Sequence, residues 1–318
     1  MIRKVILTKI AMFLCAISLL QPIEVLAAFY NVTPTSITVD GVFKVENVKI
    51  GSANCTNPGG MVFVGNTAYI LKTDGNDSCS VLMEYQNYNS STRKLITHKI
   101  VDKKGAVTSI GHGGGLTYYN GNFYTPNGNK IHEINKKGVI QKTYTVTGLK
   151  GPSSISHITY CRSGNFIVAS PKNYAETSAG VKCSQELKNK PYRVFYTAIL
   201  EGNNFVIKKK FFVPIAFSDN KAHLSQDFTY RKFNGKGYLI FPSYDTVSRR
   251  MSVIDMVDIS ETIKDKQVYN PVKRLRTKAK TATFYEVESI DVGPDGKMYL
   301  VANRNVEHGG DALFRVNY

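Results

Sequence analysis

One short pattern recurs five times along the 318-residue chain. Residues 59–69 read GGMVFVGNTAY and residues 114–124 read GGLTYYNGNFY, two stretches that align without a gap. SHITYCRSGNFI (156–167), QDFTYRKFNGKGY (226–238) and ESIDVGPDGKMY (288–299) follow the same plan. Each has a short apolar or β-branched run, a turn, and a second run with an aromatic or apolar centre. Asn66, Gly121, Gly164, Gly235 and Gly296 stand at the turns, where tight connections need positive φ. The flanking Val, Ile, Thr, Tyr and Phe suit a pleated, half-buried surface, so each unit reads as a β-hairpin.

Further strand-like runs follow the hairpins. Examples are KIHEIN (130–135) with VIQKTYTV (139–146), and YRVFYTAIL (192–200) with NFVIKKKFFV (204–213). About four strands per unit at this period is the pattern of a β-propeller, because a lone four-stranded sheet cannot cover both its faces and a ring of them can. The expectation is an all-β chain with a single propeller over 28–318, of five blades, or six if 29–51 hold a diverged one. Residues 36–50 are expected to pair with the C-terminal run 312–318 instead, closing the ring without an open edge. An open sandwich of irregular hairpins is the competing architecture. Helices should be nearly absent, and 171–190 form a polar insertion. The cluster Gly113–Gly115 after His112 is not a phosphate loop, since such a loop ends at a helix N-terminus. Glycine there instead permits close backbone approach at a crowded axis.

Residues 1–27 read as a secretory signal peptide: Arg3, Lys4 and Lys9, an apolar core from Ile10 to Leu20, and cleavage after Ala27. The apolar run is short for a membrane span, and no later stretch could cross a bilayer. The expected location is extracellular or periplasmic, and the composition has a bacterial cast. Export permits disulfides. Cys55, Cys79, Cys161 and Cys183 allow three pairings; the short loops favour Cys55–Cys79 and Cys161–Cys183, the latter tethering the insertion. A zinc site is the weaker alternative, as no CxxC spacing occurs.

The residues just before each innermost strand should converge at the channel mouth. They include His157, Asp227 and Glu288, with Asn57, His112, His223 and Glu286 slightly upstream. Imidazoles and carboxylates meeting there can ligate a metal or act as acid and base. The competing reading is mutual hydrogen bonding of polar groups around the axis. Glu286 and Glu288 alternate onto one side of a strand. No nucleophile-elbow, HExxH or EF-hand pattern is present.

The formal charge of the chain is +17. Three of its basic residues and one acid lie in the signal segment, leaving +15, which draws anionic partners. Arg274, Arg276, Lys278 and Lys280 alternate along 270–281, and Lys208, Lys209 and Lys210 form a second cluster. Such a ladder either blocks edge-to-edge pairing or binds anions. Nucleic acid is not expected, because no recognition module is present.

The unit SIDVGPDGKMYLVAN (289–303) resembles the blades of secreted NHL- and SMP-30-type propellers, and GHGGGLTYYNGNFY (111–124) resembles segments of helveticin J-like secreted bacterial proteins. The SMP-30 resemblance implies a divalent cation at the channel mouth, held by Glu286 or Glu288 and Asn57. The functional expectation is a secreted, monomeric, non-enzymatic propeller that binds an anionic polymer, glycan or cell-surface component, as a bacteriocin-like or host-interaction factor. The alternative is a metal-dependent hydrolase or lyase at the channel mouth.

Overall fold

A computed structural model of the chain describes residues 32–74, 76, 78–149, 154–162, 164–169, 192–214, 217–218, 221–222, 227–244, 251–277, 287–305 and 310–318. The expected signal segment, the whole insertion 171–190 with Cys183, His223, Glu286, Lys278 and Lys280 lie outside these residues. Among the described residues every regular element is a strand.

The chain opens with β1 (Thr35–Lys44) and the small hairpin β2 (Val48–Ile50) and β3 (Ala53–Cys55). The first four-stranded meander is β4 (Asn57–Val64), β5 (Thr67–Thr73), β6 (Ser80–Gln86) and β7 (Lys94–Lys99). The second is β8 (Thr117–Tyr119), β9 (Asn122–Asn127), β10 (Lys130–Ile134) and β11 (Ile140–Thr147). The third is β12 (His157–Arg162), β13 (Asn165–Ala169), β14 (Tyr192–Glu201) and β15 (Asn204–Pro214), followed by the short β16 (Phe217–Ser218) and β17 (Lys221–Ala222). Then come β18 (Thr229–Phe233), β19 (Lys236–Tyr244), β20 (Met251–Asp258), the two-residue β21 (Gln267–Val268) and β22 (Pro271–Thr277). The last are β23 (Val287–Val292), β24 (Met298–Asn305) and β25 (Gly310–Asn317).

Thr38–Lys44 of β1 run antiparallel to β25, so the N-terminal strand completes the C-terminal sheet as expected. The innermost strands touch in a cycle: β4 against β8, β8 against β12, β12 against β18, β18 against β23, and β23 back against β4. This arrangement is a β-propeller. Its sheets pack face to face through alternation along each strand. Leu239 and Phe241 enter a cluster with Phe195, Phe211 and Phe228 of the third and fourth sheets, whereas Ile240 between them enters one with Ile290, Leu300 and Phe314 of the last. In the last sheet Tyr299 and Val301 turn the other way, onto Met61, Ile70 and Met83 of the first. The inner strands are thus covered on both faces, and each fully buried Leu, Ile or Phe contributes roughly 1.5–3 kcal/mol.

The hairpin turns follow the sequence with one difference. Asn120–Gly121 and Asn234–Gly235 carry positive φ at both residues, as a two-residue hairpin of the primed type requires. In the first hairpin the positive φ falls on Gly65 (56°) rather than on Asn66. The axis is as crowded as the glycines imply. A Cβ on Gly114 would stand 2.6 Å from the Ser156 carbonyl oxygen, and one on Gly115 3.0 Å from the His157 Cα.

Cys55 and Cys79 are joined in a disulfide. The pairing expected for Cys161 is corrected: it is a free, buried thiol. It lies on the inward side of β12 in the core between the third and fourth sheets, beside Tyr230. Burial there pushes its pKa up to about 11, against the pull of Arg162 and the Tyr230 hydroxyl, so it is a poor thiolate nucleophile.

Candidate functional site

The repeated unit places a side-chain oxygen at the same point of several innermost strands: Thr117, Thr159, Thr229 and Asp291. Each is a link to the neighbouring strand. Tyr160 N–H donates to Thr117 Oγ1 at 2.8 Å, and Tyr230 N–H to Thr159 Oγ1 at 3.1 Å. Thr229 Oγ1 donates to Asp291 Oδ1 at 2.8 Å, and Phe63 N–H to Asp291 Oδ2 at 2.9 Å. Arg231 adds an ion pair to Asp291 at 2.6 Å. These bonds hold the strand starts in fixed register around the axis and so position whatever lies at the mouth.

A cavity of about 210 Å³ opens at that mouth. Its walls include Gly59, Gly114, Ser156, His157 and Glu288, and His112 and Asn127 stand at its rim. His112, His157 and Glu288 therefore meet as expected. Glu288 is 7% exposed, and Asn303 Nδ2 donates both to its Oε1 at 3.2 Å and to Asn57 Oδ1 at 3.0 Å. The carboxylate is thereby held by a neighbouring amide on β24.

His157 is buried. Its Nδ1 lies 2.5 Å from the Ser156 hydroxyl and 3.3 Å from Nη2 of Arg193. Burial, then the Arg193 charge, then His112, hold its pKa well below the ordinary imidazole value. Arg193 is itself fully buried, with its guanidinium 5.2 Å from the ring centroids of both Phe195 and Phe228. Such faces accept a cation favourably. Asp227 is not in the cavity wall; it sits behind it, accepting a hydrogen bond from the Ser289 hydroxyl. Burial raises its pKa well above the carboxylate range, although Ser289 and Arg193 pull it down.

The ligand set implied for a divalent cation is met only in part. Asn57 and Glu288 are adjacent, but the Asn303 amide lies between them and donates to both oxygens, where a cation would need converging lone pairs. Among the described residues no group of three or more His, Cys, Asp and Glu has metal-binding geometry.

The basic residues are engaged within the protein. Arg274 pairs with the buried Asp255 through two bonds, 2.6 and 3.0 Å long. Lys208 pairs with Glu201 at 2.6 Å, Lys209 Nζ donates to the Ile263 carbonyl at 2.7 Å, and the Lys210 ammonium lies 5.9 Å from the Phe212 ring. Arg276 is exposed on β22. That strand is not a free edge: it pairs with β20 on one side and, over Leu275–Thr277, with β1 on the other.

Comparison with known proteins adds the fold's relatives. The chain matches no protein-family model and no curated protein. Among solved structures it is similar to CoXyl43, a GH43 beta-xylosidase/alpha-arabinofuranosidase from a compost microbial metagenome in complex with xylotriose. That match has a TM-score of 0.50 and 14% identity over 88% of this chain and 94% of that one. Native Bacillus subtilis arabinanase Arb43A follows at a TM-score of 0.49 and 12% identity, over 83% and 94%. At 14% identity the likeness to CoXyl43 establishes the fold. This finding corrects the expectation of a non-enzymatic binder: CoXyl43, with which the chain shares its fold, is a beta-xylosidase/alpha-arabinofuranosidase. Of the residues on which that expectation rested, Arg274 is held by the buried Asp255 and Lys208 by an exposed pair with Glu201.

Three residues of the site escaped the sequence reading: Arg193, Asn303 and Asp291. Parity was the available signal. Arg193 shares a strand face with Phe195, and Asn303 shares one with Val301 and Tyr299, so alternation turns both inward.

Proposed function

We propose that the protein is a carbohydrate-active hydrolase that takes a sugar ring into the axial mouth, with Glu288 as the proton-transferring carboxylate. The observation that carries this reading is Glu288 itself. It is the one carboxylate that lines the cavity among the described residues, and Asn303 fixes its direction. Cleavage of a glycosidic bond needs a carboxyl group to protonate the leaving oxygen or to activate water. A cavity of about 210 Å³ is smaller than the roughly 300–1,000 Å³ that encloses drug-sized ligands, and it suits one sugar unit rather than a length of chain. His157, Ser156 and His112 supply polar groups for sugar oxygens. Asp227 accepts the hydroxyl of Ser289, next to Glu288, and stays behind the reacting groups. Glu286 is the further carboxylate of the expected rim and lies outside the described residues.

In this reading the five meanders are the blades of a five-bladed ring, and the enzyme works outside the cytoplasm after its signal segment is removed. The Cys55–Cys79 disulfide supports an oxidising location.

The test is release of sugar from xylo- and arabino-oligosaccharides, and from aryl pentosides, by the purified mature chain. Glu288→Gln should lower turnover at least a hundredfold with an unchanged melting temperature, the scale of a lost general acid or base. No release from any glycoside by a folded protein, or full activity in the Gln variant, overturns the assignment.

A further inference from the structure

We propose that Arg193 is a positioning residue that fixes His157 as a neutral imidazole with its Nε2–H directed at the axial mouth, so that His157 is a permanent hydrogen-bond donor to a ligand oxygen and not a proton carrier. The ligand half of this inference rests on the mouth being the sugar site; the tautomer half does not.

The geometry sets the tautomer. Arg193 Nη2 stands 3.3 Å from His157 Nδ1. A guanidinium can only donate, so Nδ1 must present its lone pair and the ring proton must sit on Nε2. The Ser156 hydroxyl, 2.5 Å from the same Nδ1, can donate or accept and follows the choice Arg193 makes. Nε2 faces Gly114, standing 3.3 Å from where a Cβ on that glycine would be, and both residues belong to the cavity wall. A side chain at position 114 would cover the donor; glycine leaves it open.

The same geometry excludes a cationic ring. Protonating Nδ1 would aim its N–H at the Arg193 guanidinium, which Phe195 and Phe228 clamp and which is wholly buried. Among the described residues the other titratable groups near this pair are His112 at the rim, Glu288 across the cavity, and Asp227, whose charge acts on Arg193. Asp227 accepts a hydrogen bond from the Ser289 hydroxyl, and burial raises its pKa against the pull of Ser289 and Arg193. Arg193 thus meets the imidazole lone pair as its neutral acceptor. A fixed neutral donor recognises an uncharged oxygen, such as a sugar hydroxyl or ring oxygen, and gains little from ligand protonation state.

Long-range ¹H–¹⁵N correlation NMR on the full mature chain reads the tautomer of each histidine without any ligand. The expected result for His157 is the Nε2–H form, unchanged from pH 8 to pH 5. Arg193→Met should release His157 to a mixed tautomer or a measurable titration, and Arg193→Lys, which still donates, should restore the Nε2–H form. If Arg193→Met fails to fold, the wild-type spectrum still decides. An Nδ1–H tautomer, or an imidazolium at pH 6, overturns the proposal. In a separate arm, His157→Phe should weaken xylotriose binding about tenfold, read on variant protein that near-ultraviolet circular dichroism shows to be folded. An Nε2–H tautomer in a protein that binds no sugar supports the positioning role and overturns the hydrolase reading.

Discussion

The Asp291 carboxylate accepts the backbone N–H of Phe63 at 2.9 Å, joining the last innermost strand to the first across 228 residues of sequence. The same carboxylate takes the Thr229 hydroxyl and the Arg231 guanidinium. Asp291→Ala leaves three donors without their acceptor at a 1% exposed position. It should cost about 3–5 kcal/mol, the range for removing one partner of a buried pair. Urea unfolding with an unchanged m-value checks this, and Asp291→Asn should recover part of the loss.

Gly114→Ala places a methyl group 2.6 Å from the Ser156 carbonyl. Backbone oxygen cannot rotate aside, so the variant should lose about 1–3 kcal/mol, the usual cost of overpacking. Gly41→Ala is the control. Its nearest neighbour is the Phe314 ring at 4.0 Å, and its stability should stay within about 0.5 kcal/mol of wild type.

Lys72 is fully buried and bonds Asp311 at 2.7 Å, the Glu46 carbonyl at 3.0 Å and Asn47 Oδ1 at 2.9 Å. It ties the first sheet to the last and to the link after β1. Lys72→Met strands the Asp311 carboxylate and should cost about 3–5 kcal/mol, whereas Lys72→Met with Asp311→Leu should regain most of that. Thermal melts of the two singles and the double, read as a cycle, test the pair.

Acid stability follows from two imidazoles. Burial and Arg193 keep His157 neutral far below the ordinary range, and burial pushes His132 down to about 4. The unfolded chain takes up a proton at each site below about pH 6.5, and the native state does not. Stability should therefore fall as pH drops from about 6.5, by up to about 1.4 kcal/mol per pH unit for each group, with the His132 share complete near pH 4. His132→Gln should flatten the curve between those limits, as read from denaturant midpoints across pH.

Much of this architecture is legible in the residues themselves. The Asn–Gly turns, the further strand-like runs after the hairpins and the unpaired run 312–318 mark the sheets and their closure. Gly114 and Gly115 mark the crowded axis because no other residue tolerates such approach. The inward charges were harder to see. Lys72 follows the apolar run AYIL, and Arg193 opens a strand between two tyrosine-rich segments, so both look like boundary residues until parity is followed through. Asn303 orients Glu288 from a strand whose neighbour in sequence is a loop, and no local pattern links the two. The Cys161 pairing failed for a related reason: loop length says which cysteines are near in sequence, but alternation turned Cys161 into the core beside Tyr230.

The central claim is that a sugar is held at the axis against Glu288 and His157. The most direct measurement is a crystal structure of the Glu288→Gln variant soaked with xylotriose and with an arabino-oligosaccharide. The account expects density for a terminal sugar ring in the mouth, with one oxygen in hydrogen-bonding range of His157 Nε2 and the glycosidic oxygen facing residue 288. A sugar seated only elsewhere, such as in the groove beside Lys208 and Lys264, with the axial mouth holding none, would contradict it.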